Sequence, residues 1–106
     1  MIFTAQGTEY ELHYNPKRVK LVEHALDGES LMNAVYGKQR DGLMSLTALD
    51  AFFQYGVKEA GADAFLPPKK AGEIGEAYLE EEGYTKAVQL VTQALADDMG
   101  FLFRLG

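Results

Sequence analysis

The sequence predicts a mainly α domain of the α+β class, with an N-terminal β-hairpin followed by about five short helices in one compact unit. Three observations lead there. Apolar and polar residues alternate over residues 9–14, the period of a half-buried strand. From Pro16 onward the apolar residues instead recur at helical spacing. And 106 residues, 47% of them hydrophobic and including six Tyr and six Phe, suffice for a single domain spanning residues 1–106 with its own core. A chain of this length buries roughly two-thirds of its unfolded surface without help from disulfides or metal.

The hairpin is expected over residues 2–14. In EYELHY, Tyr10, Leu12 and Tyr14 point one way and Glu9, Glu11 and His13 the other. MIFTA supplies the partner strand, and Gln6-Gly7 the two-residue turn. The period then changes at Asn15-Pro16. Asn15 suits an N-cap, and Pro16 has no N–H to leave unpaired in the first turn. Tyr14 and Val19 stand where a hydrophobic staple would span that cap. The helix expected over residues 16–27 places Val19, Val22, Ala25 and Leu26 inward and Lys17, Lys20, His24 and Asp27 outward, and Gly28 ends it.

A second helix is expected over residues 30–37, and KQRDG reads as a loop with a turn at Asp41-Gly42. A third, over 46–60 and capped by Ser45 or Thr47, would turn Leu49, Phe52, Phe53, Gly56, Val57 and Ala60 inward. Gly56 costs about 1 kcal/mol against Ala in a helix interior, which implies a close helix contact there. GADAFLPP is irregular, because Pro67 and Pro68 disfavour helix before them and permit it after. The fourth helix is expected over 68–82, ended by Gly83. The fifth spans 85–99, with Tyr84, Val88, Val91 and Leu95 at helical spacing and Ala87 and Ala94 beside them.

The net charge of −6 is concentrated. Residues 71–100 hold seven carboxylates against the single Lys86, and the remainder of the chain is neutral in sum. That balance lacks the footprint of sequence-independent nucleic-acid binding and suits a basic protein partner, or serves solubility. The small basic patch of Lys17, Arg18 and Lys20 has no interleaved aromatics and is offset by Glu23 and Asp27. Cysteine is absent, which excludes disulfides, thiolate nucleophiles and Cys-based zinc sites and fits a reducing compartment. No apolar run approaches the ~20 residues of a membrane span, and the first residues lack the basic start of a signal peptide, so a cytoplasmic location is expected.

Catalytic motifs are missing. His13 and His24 lack metal-ligand spacing. The glutamates at 80–82 occupy consecutive helix positions, which diverge, and they read as a solvated helix end. Around Gly37-Lys38 a phosphate loop would need Gly where Met32 stands and Ser or Thr where Gln39 stands. Ser30 and Ser45 read as helix caps, without a nucleophile elbow around either. No cofactor and no enzymatic activity are expected.

The order of segments is more telling. The hairpin, EYELHYNPKRVKLVEHALDGESL, the capped SLTALDAFFQYGVKE, the acidic EAYLEEEG and a closing amphipathic helix follow one another over most of residues 1–100. This order resembles the short-form tail assembly chaperones of siphophages and prophages. In that family a strand pair of the form (G)-x-x-Y-x-L-x-(F/Y)-(N/D) runs into a helix, and a glutamate-rich segment with glycine precedes the last helix. The resemblance implies binding to the tape measure protein, help in bringing tail tube protein around it, possible self-association, and a place in the host bacterial cytoplasm and not in the mature virion. It also implies a longer product made by programmed −1 frameshifting, for which the closing FLFRLG would be the join.

The family carries no catalytic residues. Partner-binding residues are therefore expected on physical grounds: Tyr84, Val88, Val91 and Leu95 where the last helix is not fully covered, with Phe101, Leu102 and Phe103. Core packing is the alternative for Val88, Val91 and Leu95, and cover for the open face of the hairpin is the alternative for Phe101 and Phe103. Rival readings of the whole chain are a structural head–tail or tail completion protein and a small helical DNA-binding regulator.

Overall fold

The computed structural model describes residues 1–36 and 44–103. The expected turn at Asp41-Gly42 and residues 104–106 lie outside the described residues, as do the side chains of Tyr36, Leu102 and Phe103.

The hairpin forms as expected. β1 (Ile2–Ala5) and β2 (Thr8–Leu12) pair antiparallel, with Phe3 opposite Tyr10 and Ala5 opposite Thr8. Gln6 and Gly7 both have positive φ, 50° and 78°, the left-handed pair whose twist matches the flanking strands. Leu12 and Tyr14 are buried, Tyr10 is half-buried and Glu9 exposed, as the alternation in EYELHY predicts. Glu11 and His13, expected outward, are half-buried, because Glu11 faces Lys58 and His13 faces Asp98.

In α1 (Pro16–Ala25), the Asn15 side chain accepts from the Arg18 N–H at 2.9 Å, and Tyr14, Val19 and Val22 are buried in one cluster. Ala25, expected inward, is exposed, because the helix ends there. Its end is a Schellman arrangement: the Gly28 N–H donates to Glu23 O at 2.8 Å and the Asp27 N–H to His24 O at 3.1 Å. The short α2 (Leu31–Tyr36) is capped by the Ser30 hydroxyl and tied back to α1 by the Glu23 carboxylate, which accepts from the Leu31 N–H at 2.6 Å.

The third helix is shorter than its sequence pattern. Ser45, not Thr47, caps α3 (Leu46–Gln54), and the helix stops six residues before the expected end at residue 60. Residues Val57–Glu59 form β3, which pairs antiparallel with β2 and completes a sheet of order β1-β2-β3. Gly56 therefore makes no helix–helix contact. A Cβ there would lie 2.7 Å from the Tyr14 ring, and its carbonyl accepts from the His13 N–H at 2.8 Å. Val57 is wholly buried opposite Leu12, while Ala60, expected inward, is exposed. The pull of β2 on a β-branched residue ends the helix.

Two longer helices close the chain. α4 (Pro68–Glu82) and α5 (Tyr84–Met99) are separated by Gly83 at φ 93°, and a 3-10 turn, Gly100–Phe103, follows. Glu81 remains exposed, as a helix-end glutamate should, but both its carboxylate oxygens also accept from the Gln6 N–H at 3.1 Å, which holds the hairpin turn against α4. Phe3 meets Tyr78 edge-on at 5.4 Å and Phe53 at 6.1 Å, so the sheet packs on α4 and α3 through aromatic rings. Tyr14, Phe52, Phe53, Leu12, Leu49 and Leu95 are the largest wholly buried side chains.

Candidate docking surface

The last helix turns a wider face inward than its sequence stripe indicates. Ala87, Leu90, Val91, Ala94, Leu95 and Met99 are buried. Val91 and Leu95 therefore belong to the core and offer nothing to a partner in this fold. Tyr84 and Val88 are half-buried, and the Tyr84 hydroxyl donates to the Met44 carbonyl. The Phe101 ring is 54% exposed and stands beside α1 and α2, not over the hairpin. Its position answers one of the alternatives left by the sequence: Phe101 does not cover the sheet.

Phe101 and the 42% exposed Met32 edge a groove of about 300 Å³. Val19, Leu31 and Met99 form its floor, and Lys20 and Glu23 stand at its rim. Opposed charges at that rim give no preference for the sign of a partner.

A second groove of about 330 Å³ runs between α3 and α4. Its floor is Leu49, Phe53 and the backbone at Gly75, and Leu46 and Leu79 form the sides. Leu46 is 63% exposed, the most exposed large hydrophobic residue described. Asp50, Glu76 and Glu80 border this groove. Partial burial raises the Asp50 carboxyl above its ordinary value, although the Gln54 amide donates to it at 2.9 Å. The grooves are places where an apolar side chain from outside would lose water with little rearrangement. The one described hydroxyl lining the first groove, that of Ser30, accepts from the Asn33 N–H as the cap of α2.

The chemistry-bearing side chains that the fold does assemble form a clasp. Asp98 lies 3.1 Å from His13 Nδ1 and accepts from the Tyr14 N–H at 3.0 Å, which ties the end of α5 to the end of β2. The Arg18 Nε–H donates to Tyr55 O at 2.7 Å, its guanidinium sits 4.0 Å over the Phe65 ring, and burial lowers its pKa. The His13 ring lies along the other side of the same cluster, 6.2 Å from Phe65. These groups are engaged by backbone or ring partners and join four segments distant in sequence. Nothing in the spacing of His13 and Asp98, 85 positions apart, could reveal the pair. Among the described residues no group of three His, Asp or Glu side chains could hold a metal ion, and no helix is long and apolar enough to cross a membrane. Comparison with protein-family models, with curated proteins and with solved structures returns no match.

Proposed function

We propose that this protein is a bacteriophage tail assembly chaperone that binds the tape measure protein and assists assembly of the tail tube around it. The observation that carries this reading is the pairing of a closed core with apolar side chains left at the surface, Leu46 beside one groove and Met32 and Phe101 beside another. Shallow apolar grooves on an acidic domain suit reversible cover for the apolar stripe of a long helical client, which would aggregate if left bare. The segment order that resembles this chaperone family supports the same reading. The site of action would be the host bacterial cytoplasm, with the chaperone released before the particle matures. The clasp around Asp98 and Arg18 joins segments distant in sequence, and no catalytic step is proposed for it.

Co-expression tests the proposal. Tape measure fragments are expected to stay in the soluble fraction and co-purify with this chain, and to pellet without it. Mass spectrometry of purified virions should find no peptide from it. Recovery in stoichiometric amounts from virions would mark a structural tail component instead.

A further inference from the structure

The described charged residues that border the α3–α4 groove are all acidic, Asp50, Glu76 and Glu80. Lys69 and Lys70 stand in the first turn of α4 and do not line the groove, while Glu81 and Glu82 are engaged elsewhere, by the Gln6 N–H and by Lys86. Between the bordering acids Leu46 stands largely in water, while Leu49 and Phe53 beneath it are buried. The two helices pack closely beneath the groove: at Gly75 the α4 backbone lies so near Phe53 that a Cβ would come within 2.3 Å of the ring. The result is a preformed apolar trough, roughly parallel in character to the seam of a helix pair, with carboxylates along its edges.

We infer that the α3–α4 groove is the seat of an amphipathic helix whose apolar stripe is flanked by Lys and Arg. Leu46 and Leu79 would meet the stripe above the floor of Leu49 and Phe53, and Asp50, Glu76 and Glu80 the flanking cations. The acidic border disfavours an anionic lipid surface and a second acidic helix alike, since each would bring like charge against it. A Lys ammonium docked beside Asp50 would offset the desolvation that this carboxyl already bears. The inference deepens the chaperone reading by naming which surface meets the client and what the client must look like, and its biological meaning rests on that reading.

The test uses two labelled synthetic helices, one of Leu and Lys and one with every Lys replaced by Glu, titrated with the full chain by fluorescence anisotropy. The Lys helix should bind and the Glu helix should not, and affinity should fall by about tenfold or more when salt is raised from about 0.05 to about 0.5 M. Leu46→Glu and, separately, the double change Glu76→Lys with Glu80→Lys should each weaken the Lys helix by about tenfold. Both variants alter exposed side chains, and a glutamate at the first position of α3 suits a helix N-terminus, so each is expected to fold. Phe101→Glu, in the other groove, should leave binding unchanged.

Equal binding of the two helices, no binding of either, or loss in Phe101→Glu alone overturns the inference. So does a dimer in sedimentation that Leu46→Glu splits into monomers, because the occupant is then a second copy. Co-expression separates this from the chaperone reading. Tape measure fragments kept soluble by both groove variants sink the groove and spare the chaperone. A wild-type chain that binds the Lys helix but leaves the fragments insoluble does the reverse.

Discussion

Phe53 and Gly75 define how close two helices can come. A Cβ on Gly75 would meet the Phe53 Cγ at 2.3 Å and its Cβ at 2.5 Å, atoms near the stem of the ring that cannot swing aside. Gly72, one turn earlier on α4, faces the flexible Gln54 Cγ at 3.1 Å instead. Both glycines sit inside a helix, where alanine is favoured by about 1 kcal/mol. Gly75→Ala should nevertheless destabilise the protein by about 1–2 kcal/mol in urea unfolding, since overpacking outweighs propensity. Gly72→Ala should be neutral or stabilising by up to about 1 kcal/mol. Equal effects from the two would mean that α4 does not approach α3 as closely as these distances indicate.

At the scale of elements, α3 depends on a residue outside it. The Tyr14 hydroxyl, wholly buried, donates to the Phe52 carbonyl at 2.7 Å, one of the carbonyls left over at the end of that helix. Tyr14→Phe should cost about 1–3 kcal/mol by leaving that acceptor without its partner. Burial, with the nearby Asp98 charge, raises the Tyr14 pKa well above its ordinary value of 10.0. The folded chain thus holds this proton more tightly than the unfolded one. The stability it contributes is intact below pH 10 and is lost as pH rises from there towards the folded value. Urea midpoints of the wild type should therefore fall more steeply above pH 10 than those of Tyr14→Phe.

The tether between α5 and β2 makes a second prediction. Asp98→Ala removes the acceptor of the Tyr14 N–H, and a loss of about 1–3 kcal/mol is expected. Asp98→Asn keeps an acceptor oxygen and should recover part of it. Hydrogen exchange at the Tyr14 amide would report the tether directly, with faster exchange in the alanine variant.

For the whole molecule, the distribution of charge matters more than its total. The net −6 lies in residues 71–100, which supply α5, α4 beyond its first turn of Lys69 and Lys70, and one wall of the acidic groove. A labelled DNA duplex should run unretarded in the presence of this chain even at low salt, because the net charge of −6 opposes phosphate and the small patch of Lys17, Arg18 and Lys20 is offset by Glu23 and Asp27. Retardation would revive the regulator reading that the charge argues against.

The hairpin, the caps at Asn15, Ser30 and Ser45, and the division between α4 and α5 at Gly83 were all written in the sequence. Each is governed by neighbours a few residues away, so spacing and residue type suffice. Val57 shows where such reasoning stops: its place in the apolar period of α3 is real, yet its partner is Leu12 in another strand. The same holds for Gln6 with Glu81 and for Tyr14 with Asp98, bonds spanning 75 and 84 positions. It holds also for the partner-facing stripe of α5, where Val91 and Leu95 are apolar at helical spacing whether a core or a client covers them. Local pattern marked which residues favour burial, although Ala25 and Ala60 ended up exposed. Only the packing of α3, α4 and α5 decided which apolar side chains, Leu46 above all, were left outside, because a surface exists only once every other element has taken its place.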